Sequence, residues 1–161
     1  MKIIFLDVDG VLNDAWHALQ LDEFRIELLA RLVNETNAQI VLSSNWRQVY
    51  VQYKRKERMQ PEQKKALKNL LRLLKKHSLS ILSYTPTIGY GPDSRPLEIK
   101  RWLRMHPEVD SYVILDDEFF WNWSDLSEHV VLTSETINEE WKAGLENKHI
   151  DKAINILKGI D

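Results

Sequence analysis

Short, continuous apolar runs alternate along the chain with longer stretches in which apolar residues recur every three or four positions. Residues 3–6 form an apolar run that breaks off at Asp7-Val8-Asp9-Gly10, the pattern of a central strand buried on both faces. Asp22 is placed to cap an amphipathic helix carrying Phe24, Ile26, Leu28, Leu29, Leu32 and Val33. Gln39–Leu42 reads as a second strand, stopped by Ser43-Ser44-Asn45, with a helical region over 46–57 behind it. Pro61 opens a clearer helix whose stripe is Leu67, Leu70, Leu71 and Leu74. A third strand is expected at 80–84, and the two prolines and two glycines of 85–94 make a loop. A helix over 96–105 turns Ile99, Trp102 and Leu103 inward, and strands are expected at 112–115 and 129–132. The pattern over 138–157 predicts helix, interrupted near Gly144.

Strands that alternate with helices predict an α/β domain: a three-layer, Rossmann-like fold with a parallel sheet of about five strands. One domain is expected over 1–161, without repeats or linkers. In such sheets ligands sit beyond the C-terminal strand ends. Three predicted strands end in polar clusters, Asp7/Asp9, Ser43/Ser44 and Asp116/Asp117, which this fold would bring to one edge.

The absence of cysteine excludes thiol catalysis, disulfide staples and thiolate zinc sites. No stretch approaches the roughly 18 apolar residues of a membrane span. The N-terminal apolar run is four residues long, too short for a signal-peptide core. The expectation is a cytoplasmic protein with no membrane partner. The net charge of −2 conceals a strong asymmetry. Residues 45–76 carry eleven Lys/Arg against Glu57 and Glu62, so this segment is +9 and the rest of the chain −11. Such a segment is ordinarily a solvated helix face. The sharper reading is a footprint for nucleic acid, with Trp46, Tyr50 and Tyr53 available for base stacking.

Four carboxylates at one strand edge repel one another unless a cation neutralises them. Hard oxygen donors without His or Cys suit magnesium, which also bridges to phosphate. A carboxylate can then attack phosphorus and form an acyl phosphate, and a second carboxyl two residues on can protonate the leaving oxygen and later activate water. Gly10 lets the backbone turn sharply away from the strand.

These clusters, in this order, resemble the haloacid dehalogenase (HAD) superfamily. The first motif, an apolar strand and Asp-x-Asp-Gly, stands as Asp7-Val8-Asp9-Gly10-Val11-Leu12-Asn13; the second as Ile40-Val41-Leu42-Ser43; the acid pair as Val113-Ile114-Leu115-Asp116-Asp117. The resemblance implies a nucleophilic Asp7 that also binds metal, and an Asp9 acting as general acid/base with its backbone carbonyl on the metal. It implies a Ser43 that bonds phosphoryl oxygens, and Asp117 as direct metal ligand assisted by Asp116. The basic residue of the third motif has two candidates, Arg95 and Lys100. Gly10 and Ser44 line the phosphate site. An acid two residues after the nucleophile marks phosphohydrolases over dehalogenases.

Ser43-Ser44-Asn45-Trp46-Arg47, with Arg95, Glu98-Ile99 and Trp102-Leu103, is closer still to the small HAD domains of multi-activity RNA-repair proteins. It is loosely similar to the phosphatase domain of polynucleotide kinase-phosphatases, which makes Arg47 a candidate phosphate ligand. Neither the segment after Asn13 nor the 85–94 loop is long enough for a cap domain. An open site, suited to a large phosphorylated substrate such as a nucleic-acid end, is the expectation.

Each feature has a plainer reading. Asp-x-Asp-Gly occurs in calcium loops, but the further acid before the glycine and the later bidentate Glu are missing. Asp116-Asp117 could cap a helix, Ser43 and Ser44 could be turn residues, and Arg95 or Lys100 could be surface cations. Trp102 reads as core, Trp141 as packed on a helix, and Trp121 and Trp123 as loop anchors. His17, His77, His106, His129 and His149 show no ligand spacing. The competing function is a HAD-like binding module that holds nucleic acid with little or no turnover. A receiver domain fits poorly, because its acceptor Asp closes a middle strand.

Overall fold

The computed structural model describes residues 1–14, 20–89, 94–118, 121–137 and 140–160, with backbone alone at 121, 122, 124 and 137. Its elements in order are β1 (Lys2–Leu6), α1 (Glu23–Thr36), β2 (Gln39–Leu42), α2 (Trp46–Lys54), α3 (Pro61–Lys76) and β3 (Ile81–Tyr84). They continue with α4 (Ser94–Met105), β4 (Ser111–Asp116), a 3-10 helix (Trp121–His129), β5 (Val130–Leu132), β6 (Ser134–Ile137), β7 (Glu140–Ala143) and α5 (Asn147–Lys158).

The five-stranded sheet has the order β3-β2-β1-β4-β5, and every pairing within it is parallel. The chain winds outward from β1 through β2 to β3, then restarts on the other side of β1 with β4. That reversal is a topological switch point, where an open α/β sheet leaves a crevice at its strand ends.

Alternation along the strands divides the core. Ile4, Leu6, Ile40, Leu42, Val113 and Leu115 face one way, against α1, α3 and α5. Ile3, Phe5, Val41 and Ile114 face the other, against Ile99 and Trp102 of α4 and Trp123 and Leu126 of the 3-10 helix. Phe5 meets Trp102 edge to face at 5.4 Å between ring centroids. Burying a side chain of this size contributes about 1.5–3 kcal/mol. No described helix is long and apolar enough to cross a membrane.

Residues 140–143 depart from the helix expected over 138–157. β6 and β7 form an antiparallel hairpin that pairs Glu135 with Lys142 and Thr136 with Trp141. Opposite charges and an aromatic beside a β-branched residue stabilise cross-strand pairs, and here they outweigh the helix preference of the Glu-Trp-Lys-Ala run. Helix resumes only at α5, after Gly144, whose φ of +135° suits glycine alone and whose added Cβ would strike the Arg25 guanidinium. Trp141 stands on β7, opposite Thr136.

Candidate active site

The site begins with register. Leu6 pairs with Leu42 and with Leu115, and Leu42 pairs with Tyr84. One residue further on, the amides of Asp7, Ser43 and Thr85 donate to the carbonyls of Leu115, Leu6 and Leu42, each at 3.0 Å. Thr85, Ser43, Asp7 and Asp116 thus form one row across the sheet. Side chains in a row share a face, and this one continues the face of Phe5, Val41 and Ile114, under α4. Trp102 of α4 bonds Ser83 Oγ on that same face.

Arg95, in the first turn of α4, reaches over the row. One guanidinium nitrogen donates to Asp116 Oδ2 at 2.6 Å and lies 3.2 Å from Asp7 Oδ1. Burial opposes the charge on Arg95, but the two carboxylates more than offset it and hold its pKa above the ordinary value. Lys100 lies outside the site and pairs with exposed Asp125 at 2.8 Å.

Carboxylate oxygens of Asp7, Asp116 and Asp117 lie within 4.8 Å of one another. Burial, then the charge of Asp7, pushes the Asp116 and Asp117 carboxyls up. Three crowded hard oxygen donors held against their own repulsion fit a divalent magnesium ion. Gly10 makes room for this arrangement: its φ is +68°, and a Cβ there would overlap the Asp117 carboxylate. The Gly10 carbonyl accepts from buried Thr133 Oγ1 at 2.7 Å, which ties the first loop to the end of β5.

Asp9 is not one of the three but lies near enough to feel the charges of Asp7 and Arg95. Its Oδ1 accepts from Asn13 Nδ2 at 3.0 Å and its Oδ2 from the Trp46 indole Nε1 at 2.9 Å. Asn13 Oδ1 in turn accepts from the Gly10 amide at 2.8 Å. Burial raises the Asp9 pKa, partly countered by the Asn13 and Trp46 bonds.

Ser43 and Ser44 are both buried. Ser44 Oγ accepts from the Trp46 amide at 3.2 Å, whereas Ser43 Oγ, like Thr85 Oγ1, has no hydrogen-bond partner among the described residues. An unmet hydroxyl beside the Asp7 carboxylate suits a phosphoryl oxygen. Arg47 does not extend toward solvent. It donates to both carboxylate oxygens of Glu98 at 2.7 Å and to the Ser43 and Ser44 carbonyls at 2.7 and 3.1 Å. It holds the Ser43 segment in place, and its buried Nε has no partner among the described residues.

Of the other residues singled out in the sequence, Trp123 is buried and donates to the Glu118 carbonyl at 3.4 Å, anchoring the loop after Asp117. His17 and the Trp121 side chain lie outside the described residues. His77 bonds Glu23, His106 stacks on Trp102, His129 stacks on Tyr112, and His149 caps α5. Asn13, Thr85, Glu98 and Thr133 received no role from sequence, and Trp46 was read only as a stacking residue. Position four after Asp9 was the available signal for Asn13. The others become visible only once the strand ends are side by side.

No curated protein and no solved structure matches the chain. A family model does, that of the HAD domain in Swiss Army Knife RNA repair proteins, over residues 3–140. With the Asp7, Ser43, Arg95 and Asp116/Asp117 positions gathered at one sheet edge, and most of its length matched, this chain belongs to that family.

Proposed function

We propose that this chain is a magnesium-dependent phosphatase that works through an aspartyl-phosphate on Asp7 and acts on phosphorylated RNA ends. The observation that carries the reading is the grouping of the Asp7, Asp116 and Asp117 carboxylates, with the Arg95 guanidinium bridging Asp7 and Asp116 and Asp9 held nearby by Asn13 and Trp46.

In the first step an Asp7 oxygen attacks phosphorus. As that bond forms, the bond from phosphorus to the leaving oxygen breaks, and protonated Asp9 gives that oxygen its proton. Ionised Asp9 then takes a proton from water, whose oxygen displaces Asp7 and releases inorganic phosphate. Both carboxyls return to their starting states. Burial of Asp9 favours the protonated form the first step needs. Arg95 and Ser43 hold the phosphoryl oxygens. Asp7, Asp116 and Asp117, with the Asp9 carbonyl, would hold magnesium, which when bound would supply charge that offsets repulsion between nucleophile and phosphate.

The substrate class rests on two supports. The family description names RNA repair. Of the eleven cations in 45–76, Arg47 is buried and the other ten are exposed on and between α2 and α3. α2 starts at the site with Trp46, so this basic surface leads away from the reacting atoms.

The test is phosphate release with magnesium from 5′- and 3′-phosphorylated oligoribonucleotides and from p-nitrophenyl phosphate. Release is expected from both classes and is abolished in Asp7→Asn. Wild-type turnover by Asp7→Asn would remove the mechanism. The same ten exposed cations favour a second reading, a nucleic-acid binding module. Salt-sensitive oligonucleotide binding without any phosphate release would select it.

A further inference from the structure

We propose that Trp46 is a positioning residue for Asp9: its indole N–H, with the Asn13 amide, fixes the carboxylate beside the Asp7/Asp116/Asp117 group. This rests on the phosphatase reading, in which Asp9 carries the proton to and from the reacting oxygens.

Asp9 has no other side-chain partner among the described residues. Each of its oxygens has one donor, Asn13 Nδ2 at 3.0 Å and Trp46 Nε1 at 2.9 Å. Without them the carboxyl is free to rotate among its rotamers, and a misplacement near 1 Å costs on the order of a hundredfold in rate. Hydrophobic packing alone does not require tryptophan here. Trp46 is buried in the larger core, and a phenyl ring would fill much of that space, but only the indole brings a donor.

The indole is itself held firmly. Trp46 opens α2 directly after the Ser43-Ser44-Asn45 turn, and its amide bonds Ser44 Oγ. The next residue, Arg47, fastens the Ser43 and Ser44 carbonyls and Glu98 of α4. One braced segment therefore presents Ser43 to the phosphoryl site and the indole N–H to Asp9. Binding geometry and proton-transfer geometry are set by the same turn.

Trp46→Phe removes the N–H and keeps most of the ring. Poor leaving groups need the proton from Asp9, whereas p-nitrophenolate departs readily without one. The kcat/KM of Trp46→Phe is expected to fall about ten- to a hundredfold more on alkyl phosphates than on p-nitrophenyl phosphate. In an Asp9→Ala background the same substitution should cost nothing further. A readout independent of turnover is the Trp46 indole N–H cross-peak in 15N-labelled protein, which should shift in Asp9→Ala.

An equal loss on both substrates, additivity with Asp9→Ala, or an unmoved indole signal would overturn the proposal. Should Trp46→Phe fail to fold, the cross-peak in wild type against Asp9→Ala decides by itself. A wild-type protein that releases no phosphate from any ester fails the phosphatase reading, and the positioning role falls with it. That failure appears in the wild type, and the failure of the proposal alone appears in the substrate ratio.

Discussion

Three carboxylates, Asp7, Asp116 and Asp117, crowd one guanidinium at the sheet end, and this imbalance governs how the residues there respond to pH and substitution. A carboxyl whose folded pKa is raised favours the protonated native state, so it contributes stability at low pH that is lost as pH rises. With EDTA present, the melting temperature should therefore fall from about pH 4, the ordinary aspartate range, to about 7, where burial and the Asp7 charge bring Asp117. Saturating magnesium should flatten that slope, and thermal melts in the two buffers check it. Gly10→Ala forces a side chain into φ +68° against Asp117. It should lower stability by about 1–2 kcal/mol in urea melts and weaken the gain from magnesium. Sequence left both Arg95 and Lys100 as candidates for one role. Five residues apart on a helix, they point about 140° from each other. Only the seating of α4 on the sheet decides which meets Asp7, and it brings Arg95 there while Lys100 goes to Asp125.

At the scale of elements, the Arg47–Glu98 pair ties α2 to α4 across the strand ends. Both side chains are almost fully buried, so removing one leaves an uncompensated charge. Glu98→Ala should cost about 3–5 kcal/mol in urea melts. Arg47→Met with Glu98→Met should recover much of that loss, because replacing both partners by apolar groups is close to neutral. The strands were legible in the sequence because each is a short apolar run that stops at a polar cluster, and β1, β2, β4 and β5 fall within a residue or two of expectation. The β6–β7 hairpin was not legible. Its stability lies in pairs such as Glu135–Lys142 and in the Gly144 amide bond to the Thr133 carbonyl, which no local periodicity reveals.

For the whole molecule, charge is segregated: ten exposed cations lie on and between α2 and α3, while acids dominate the remainder. If roughly six of these cations meet RNA phosphates, the log of the binding constant should fall against log salt with a slope of about −4. Reversing Lys64, Lys65 and Lys68 to Glu should flatten that slope, measured by fluorescence anisotropy over a salt series. Charge segregation was readable from sequence; that the basic helices follow directly from the turn at the end of β2 was not, because it depends on where α2 starts.

Thr85, Ser43, Asp7 and Asp116 lie in one rung of the sheet, and every one of them depends on its neighbour's alignment. Were β4 to slip by a single residue against β1, Leu115 would stand where Asp116 does and the acid would turn to the opposite layer. Such a chain would keep its helices and most of its buried area, yet its acids would no longer converge at one edge. Under the proposed function, phosphate release would thus serve as a gauge of strand alignment, more sensitive than circular dichroism or melting temperature to a fold that is almost right.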